Sequence, residues 1–364
     1  MSGEGIAGRR LEAQRLAGEP LRTAGDVVRH LVAVQSQDYP GAKWALAQRM
    51  AMTTEAELDV AFDAGSFFRI HVLRPTWHFV APEDLRWLTA LTGPRVHQAS
   101  AFQYRLLEID DALARRAADV FERVLSGGRA MTREELGVEL RAAGFDATGL
   151  RLVYLVSRAE VDAILCSGPR RNGKQTFALV DERMPPTPEP TRDEALAELA
   201  GRYVAGHGPA QDIDLAWWSG LTLRDARRGL EAASPALDRE VIEGRTFWVA
   251  ATSFDGPRSR PAAGPAVHLL PNYDELLVAF RDRSDGLDPA LPAPARVAEE
   301  ILNHVIVRDG LMVGRWRRPL ASGAAGLRLD PLVELDSEER GLLAAAVERY
   351  AAFVGRAVEV TGLD

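Results

Sequence analysis

One order of predicted elements recurs along the chain: short helices with apolar residues at helical spacing, then a pair of strands. The copies lie within residues 6–80, 130–180 and 193–250. In the middle copy, the two helices precede a hairpin whose basic turn spans residues 168–174. Helix, helix and hairpin are typical of a winged-helix unit, in which the second helix docks in a DNA major groove and the wing touches the backbone.

The proline-rich stretch from Met184 to Pro190 is the clearest boundary in the sequence and predicts a linker. Beyond residue 250 the sequence has strand-like pieces at 266–270, 305–307 and 311–317, and a terminal helix is predicted over 337–353. Asp309-Gly310 is a strong two-residue hairpin signal between the last two pieces. We predict an α+β fold of three tandem winged-helix units and a β-rich C-terminal part, over residues 1–125, 126–184, 185–250 and 251–364.

Charge and cysteine content exclude several classes of protein. The 364 residues carry a formal net charge of -8 and one cysteine, Cys166, so an intrachain disulfide and a cysteine-rich zinc site are excluded. No apolar run predicts a membrane span and the N-terminus does not resemble a signal peptide, so a cytoplasmic location is expected. The acidic charge argues in bulk against a nucleic-acid binder, but the local field on one face decides binding. Neither metal-ligand spacing nor a phosphate loop occurs, so we expect no metal and no cofactor.

The segment Gln35-Ser36-Gln37-Asp38 follows an amphipathic run over 26–33, which predicts a helix ending at the glutamines. Positions i and i+2 do not share a face of a continuous helix, but in a frayed turn or an extended segment both amides can converge on one point. An amide offers donors and an acceptor without titrating at neutral pH, so a pair can hold a water or read a nucleic-acid edge. Two interpretations stay open: solvent-facing glutamines at a helix end, or a pair converging in a cleft.

Blocks spread over almost the whole chain resemble the bacterial AlkZ-like DNA glycosylases, which are built from tandem winged-helix units. The blocks that carry the resemblance are Leu31–Asp38, Leu73–Val80, His207–Ala210 with Trp217–Leu221, Pro271–Leu277 and Asp309–Arg317. The resemblance implies that a Gln-x-Gln motif, here Gln35 and Gln37, is the catalytic element. The middle residue is often apolar in the family and is Ser36 here.

An amide pair narrows the chemistry of such an enzyme. Hydrolysis of an N-glycosidic bond passes through an oxocarbenium-like state, and two amides can orient a water but cannot act as a strong base. The leaving base should therefore depart easily, as cationic N7- or N3-alkylated purines do. The resemblance further implies that some relatives act on bulky adducts or interstrand crosslinks, at times as self-resistance to a DNA-alkylating natural product.

Other residues are candidates for support or for DNA contact. Asp38 can stabilise developing positive charge or act as a turn residue, and His78 can reach the lesion, a phosphate or a buried partner. The predicted DNA-binding residues, each of which can also be a solvated surface cation, are Lys43, Arg74, Arg170, Arg171, Lys174, Arg315 and Arg317. Lys43 and Lys174 are the only lysines, and a solvated or phosphate-contacting role is favoured for Lys43 over a Schiff base. We therefore predict a monofunctional enzyme that leaves an abasic site.

The predicted partner is double-stranded DNA that contains alkylated purines, and a monomer is expected. The main alternative is a non-catalytic winged-helix transcriptional regulator, which needs basic helix faces but neither glutamine. Such regulators usually bind as symmetric dimers, and no dimerising heptad is visible in this sequence. A protein-binding array of winged helices, which would suit the acidic charge, is a third possibility.

Overall fold

In a computed structural model of the chain, the described residues are 5–184, 186, 189–251, 266–318 and 325–362, so the predicted linker over 184–190 lies partly outside them. The helices are α1 (Ile6–Ala13), α2 (Ala24–Leu31), α3 (Tyr39–Gln48), α4 (Glu55–Asp63), α5 (Pro82–Leu106), α6 (Asp111–Leu125), α7 (Arg133–Ala142), α8 (Gly149–Val161), α9 (Val180–Arg183), α10 (Arg192–His207), α11 (Asp212–Ser219), α12 (Leu223–Ala232), α13 (Glu275–Val278), α14 (Ala298–Ile301) and α15 (Ser337–Val354). The strands are β1 (Ala33–Gln35), β2 (Phe68–His71), β3 (Trp77–Val80), β4 (Met131–Thr132), β5 (Leu165–Arg171), β6 (Lys174–Leu179), β7 (Leu237–Ile242), β8 (Arg245–Ala250), β9 (Val267–Leu270), β10 (Val305–Arg308), β11 (Leu311–Arg317), β12 (Ala325–Pro331) and β13 (Val358–Thr361).

The first group of elements contains α2, β1, α3, α4, β2 and β3, and its sheet has the order β1-β3-β2. Helix α2 begins at a capping box in which Thr23 accepts from the Asp26 N–H. It ends at Leu31 because Val32 has φ 66, a backbone conformation that no right-handed helix contains. The prediction that this helix runs into the glutamines is therefore wrong. The chain turns at Val32, and Gln35 closes a short strand instead.

The second group repeats this order with α6, β4, α7, α8, β5 and β6 and has the sheet order β4-β6-β5. Helix α6 packs its buried Val120, Phe121 and Leu125 into one core with α7 and α8. The predicted basic hairpin turns at Asn172-Gly173, where both residues have positive φ and the two-residue loop suits the strand twist.

The third group contains α10, α11, α12, β7 and β8, with a backbone bridge between Ala210 and Trp248 in the place of a first strand. The same order of elements thus appears again, in agreement with a mixed α+β fold. The division into three winged-helix units with the stated boundaries stays a prediction.

The C-terminal part is a curled sheet of order β13-β12-β11-β10-β9, antiparallel except for the β12–β13 pair. Asp309-Gly310 joins β10 to β11 with φ values of 49° and 86°, as the hairpin signal predicts. Helix α15 covers this sheet and packs Phe353 against Trp44 of α3. The strands β12 and β13 were not predicted.

Two hydrophobic cores meet at the β1–β3 pair, and this contact positions the site. Val34 and Phe79, which are paired in register, belong to the core shared with the C-terminal sheet. Ala33 and Val80, also paired, face the opposite core, which is shared with α5, α10 and α11. Because successive strand residues alternate between faces, Gln35 is turned toward the second of these cores.

Candidate active site

Gln35 is the last residue of β1, and only 8% of it is exposed. Its backbone N–H donates to Glu275 Oε1 at 2.8 Å, and its side-chain Oε1 accepts from Arg74 Nη2 at 3.2 Å. A second lone pair of the amide oxygen and the two N–H donors of the amide nitrogen are then available for a ligand. One of the two predicted catalytic amides is therefore held at a strand end between a buried carboxylate and a guanidinium.

Glu275, the first residue of α13, has no exposed surface and lies against Gln35. Its Oε2 accepts from Trp218 Nε1 at 2.9 Å and lies 3.6 Å from His207 Nε2, which is too long for a hydrogen bond. Burial acts to raise the pKa of Glu275, but His207, the Gln35 N–H and His78 together outweigh it and hold the pKa below its usual value. The carboxylate is therefore ionised at neutral pH, and both of its oxygens are engaged.

His78 is paired with Gln35 in the β1–β3 register and is fully buried. Its Nδ1 lies 3.0 Å from the Thr76 carbonyl oxygen, so Nδ1 carries the proton, and Nε2 has no hydrogen-bond partner among the described residues. Burial, with a smaller contribution from Arg74, lowers the pKa of His78 to about 3. The imidazole is neutral at pH 7 and enclosed, so it belongs to the surroundings of Gln35 and is not presented to a phosphate.

Gln37 is exposed, and its Oε1 makes only a long contact, 3.4 Å, with the Trp77 backbone N–H. Arg69 on β2 holds the backbone between the two glutamines, because its guanidinium donates to the Ser36 oxygen at 3.0 and 2.8 Å and to the Gln37 oxygen at 3.3 Å. This guanidinium also lies 4.1 Å from the centre of the Trp77 ring. Burial lowers the pKa of Arg69 to about 10, so it remains charged at neutral pH.

Neither open interpretation describes the whole motif. Gln35 is enclosed by charged groups, whereas Gln37 faces solvent from an extended segment that begins where β1 ends. Ser36 lies between them with a buried hydroxyl that has no described partner. The motif therefore presents one fixed amide and one that is free to meet a ligand.

Asp38 is the N-cap residue just before α3, but its side chain makes no capping hydrogen bond, and its carboxylate instead accepts two hydrogen bonds from Arg318 Nη2, at 3.0 and 2.8 Å. It lines a cleft of about 430 Å³ together with Asn272, His304 and Trp316. In this cleft Asn272 Oδ1 and His304 Nε2 have no hydrogen-bond partner within the described part of the chain. A polar recess thus adjoins the motif, and the Asp38 charge is largely balanced by Arg318.

Lys43 is buried, which differs from the prediction of an accessible lysine. It is 2% exposed on α3, and its Nζ forms ion pairs with Glu55 at 2.9 Å and with Asp59 at 2.6 Å. The prediction of a solvated or phosphate-contacting lysine is therefore wrong, because the ammonium group is enclosed by two carboxylates. A buried, paired lysine is also poorly placed for a Schiff base.

The wing and the C-terminal strands hold the other predicted DNA contacts. Arg170 is bound by Asp59 and Asp63, and Arg171 by Glu135, which leaves Lys174 as an exposed cation at the hairpin tip. On β11 Arg315 is paired with two acids, Glu300 at 2.5 Å and Asp330 at 3.2 Å.

Arg317 is exposed near the end of β11, and Arg74 adjoins Gln35. The structure thus brings Arg74 to the motif and leaves Lys174 and Arg317 open on the surface. It engages the remaining predicted cations in acid pairs.

Two residues at the centre of this site had no role in the sequence argument. Glu275 lies in a block that carried the family resemblance, but nothing in the sequence shows that it meets Gln35, 240 positions away. Arg69 lies within a predicted strand, where a cation normally faces solvent. Its burial between two aromatic rings, Tyr39 and Trp77, depends on a tertiary contact.

No group of three or more His, Cys, Asp or Glu side chains that could hold a metal ion occurs among the residues the structure describes. Within the same residues, no helix has the length and apolar character to cross a membrane.

Comparisons with known proteins agree with the fold. A solved structure of the Streptomyces sahachiroi DNA glycosylase AlkZ superposes with a TM-score of 0.80, covers 98% of each chain and is 21% identical in sequence. A search of curated proteins found no match. The sequence model of the DNA glycosylase AlkZ-like family matches residues 28–353. The family match defines a DNA N-glycosylase, an enzyme of DNA repair that hydrolyses the bond between base and sugar. The chain belongs to the DNA glycosylase AlkZ-like family, so the predicted resemblance and the α+β fold class are confirmed.

Proposed function

We propose that this chain is a monofunctional glycosylase that releases N7- or N3-alkylated purines from duplex DNA, with Gln35 and Gln37 as the catalytic residues. The observation that carries this proposal is the engagement of the two carboxylates beside the motif. Glu275 is buried and bound by donors, and Asp38 is paired with Arg318. Neither is free to deprotonate a water, so the amides remain as the groups that meet the substrate.

Gln35 is suited to orient a water. Arg74 donates to its oxygen and fixes the amide plane, which leaves one oxygen lone pair and the amide N–H groups for a ligand. Gln37, which faces solvent, can close on the sugar or on the water when DNA binds. Positioning of this kind can supply about 7 to 11 kcal/mol of barrier lowering in the best cases.

Because the two carboxylates beside the motif are both engaged and cannot act as a base, the substrate class is restricted. A water held by amides is a weak nucleophile, so the bond must already be labile in the ground state. A purine alkylated at N7 or N3 carries a positive charge and leaves as a neutral base. Bulky adducts and crosslinked purines with the same alkylation share this property, and action on them, including self-resistance to an alkylating natural product, belongs to the proposal.

Strand cleavage is not expected to accompany base release. A Schiff base needs a free amine at the abasic sugar, Lys43 is buried in two ion pairs, and Lys174 lies at the tip of the β5–β6 hairpin. The product should be an intact strand with an abasic site. A covalent adduct trapped by borohydride would contradict this part of the proposal.

Release of free base from a duplex with one N7-methylguanine tests the proposal. Wild type should release the base, and Gln35→Ala and Gln37→Ala should each lower the single-turnover rate by about 100-fold while duplex affinity is kept. Gln98→Ala, at an exposed glutamine on α5, is the matched control and should leave the rate unchanged. Release at the wild-type rate in both motif variants would contradict the assignment.

A further inference from the structure

Three arginine side chains surround Trp217, a half-buried residue of α11. The guanidinium carbons of Arg74, Arg281 and Arg283 lie 5.5, 5.1 and 5.3 Å from the centre of its ring. These separations lie within the range of about 6 Å for cation–π contacts. The ring itself is anchored, because its Nε1 donates to the Val278 oxygen at 3.1 Å. Three like charges are thus gathered around one fixed aromatic ring.

The three guanidinium groups have no directly paired carboxylate in the described part of the chain, and the charges of Glu275 on Arg74 and of Asp214 and Asp282 on Arg283 act without a direct contact. None forms an ion pair there, and Arg74 Nε and Arg283 Nη2 are buried without a hydrogen-bond partner. Two of these acids bind backbone N–H groups: Asp214 accepts from the Arg281 N–H and Asp282 from the Ser284 N–H.

Repulsion from the other two arginines is also visible in the ionisation of Arg283. Burial, followed by repulsion from Arg74 and Arg281, lowers the pKa of Arg283. Neighbouring guanidinium groups with unfilled donors are suited to bind the oxygens of an anion.

The cluster adjoins the candidate active site, and this position indicates which anion it would bind. Arg74 belongs both to the cluster and to the candidate active site, because its Nη2 contacts Gln35 Oε1. Gly220, just after α11, keeps the two parts together, since a methyl group there would lie 2.3 Å from the Leu73 oxygen. An anion on the cluster would therefore be separated from the Gln35 amide by one guanidinium group, that of Arg74.

We propose that Trp217, Arg281 and Arg283 form, with Arg74, a binding site for phosphodiester groups of the DNA strand that carries the damaged nucleotide. Guanidinium groups match the geometry of phosphate oxygens and bind them bidentately. The ligand named here depends on the proposed function, which makes DNA the substrate. The site itself places the strand so that the sugar next to the bound phosphate meets Gln35.

Phosphate contacts of this kind are made equally before and during reaction. They should therefore strengthen binding and leave the chemical step almost unchanged. They should also make affinity salt-dependent, because each neutralised phosphate releases counterions.

Salt dependence of binding to a duplex with an abasic-site analogue tests the proposal without requiring base release. In Arg281→Gln/Arg283→Gln, the slope of log affinity against log salt should become shallower by about 1 to 2. Arg281→Gln alone, at an exposed side chain, should account for about 0.9 of that change if one phosphate contact is lost. Arg105→Gln, at an exposed arginine near the end of α5, is the control and should keep the wild-type slope.

The outcomes separate this proposal from the proposed function. An unchanged slope in both variants, with the wild-type circular dichroism spectrum, would overturn the phosphate site even if base release proceeds normally. A shallower slope would support the site even if no tested lesion is released, in which case only the proposed substrate fails. A large loss of single-turnover rate at saturating enzyme in Arg281→Gln would contradict a role confined to binding.

Discussion

At the scale of single residues, the site depends on how Glu275 is satisfied. Its carboxylate accepts from the Gln35 N–H and from Trp218 Nε1. Glu275→Gln keeps the shape but offers one acceptor oxygen, so one buried donor loses its partner. We expect the free energy of unfolding to fall by about 1 to 3 kcal/mol.

Displacement of Gln35 should also slow base release in Glu275→Gln, by roughly 100-fold. Asp84→Asn is the matched control, since Asp84 is a buried carboxylate that also accepts from an indole, that of Trp87, and contacts neither glutamine. The control should lose stability and keep its rate. An unchanged rate in Glu275→Gln would show that the carboxylate does not position the amide.

The pH profile of base release is a second residue-scale prediction. Amides do not titrate, the pKa of His78 is about 3, and the pKa of Glu275 lies below its usual value. The single-turnover rate at saturating enzyme should therefore be flat between about pH 6 and 9. A limb with a midpoint inside this range would reveal a titrating catalytic group and contradict the two-amide account.

At the scale of elements, the turn after α11 holds Arg74 against the motif. Gly220 has φ 70, and a Cβ atom added there would lie 2.3 Å from the Leu73 carbonyl oxygen, which is a clash. Gly220→Ala must therefore push the β2–β3 connection, and Arg74 with it, away from Gln35. We expect a loss of about 2 kcal/mol or more in unfolding free energy together with weaker base release.

Gly127→Ala is the control for the turn, because Gly127 has φ 82 but no atom within 4 Å of a Cβ. This control variant should lose only the stability that a positive φ costs an alanine, because no clash is added. If both variants lose the same stability and the same activity, the contact between Gly220 and Leu73 has no special role.

At the scale of the whole molecule, neutral buried histidines make the fold sensitive to acid. Burial lowers the pKa of His78 to about 3 and that of His268 to about 4, whereas an unfolded histidine titrates near pH 6.5. The unfolded chain thus binds protons first, so stability is fully present above about pH 6.5 and is lost as the pH falls.

Each of these histidines should remove about 2 kcal/mol between pH 7 and 5. Denaturant unfolding of His268→Gln should show a pH 7-to-5 difference smaller than that of wild type by this amount, whatever its absolute stability. An equal difference in both proteins would mean that His268 is protonated, or accessible, in the folded state.

Much of the fold could be predicted because it depends on local signals. The Asp309-Gly310 and Asn172-Gly173 turns and the terminal helix all follow from short stretches of sequence. The helix before the glutamines ends earlier than predicted, because Val32 adopts a positive φ, which its β-branched side chain disfavours. Val32 has no exposed surface and belongs to the core shared with α5, α10 and α11, so its conformation depends on tertiary packing that the local sequence does not show.

The sequence predicts the two glutamines of the candidate site but not the residues that contact them. Gln35 and Gln37 are singled out by residue type and resemblance, whereas Arg69 and Glu275 reach them through tertiary contacts across the chain. Lys43 was misplaced for the same reason: the acids that enclose it, Glu55 and Asp59, come from the next helix. Charge pairing between elements leaves no trace in one sequence.

The comparison of two leaving groups tests the central claim most directly. Single-turnover release would be measured from otherwise identical duplexes with N7-methylguanine, a cationic lesion, and 8-oxoguanine, a neutral one. The account predicts release of the cationic base at least about 100-fold faster, equivalent to about 2.7 kcal/mol of barrier. Equal rates for the two bases would contradict it, because they would require an acid or base catalyst that two amides cannot supply.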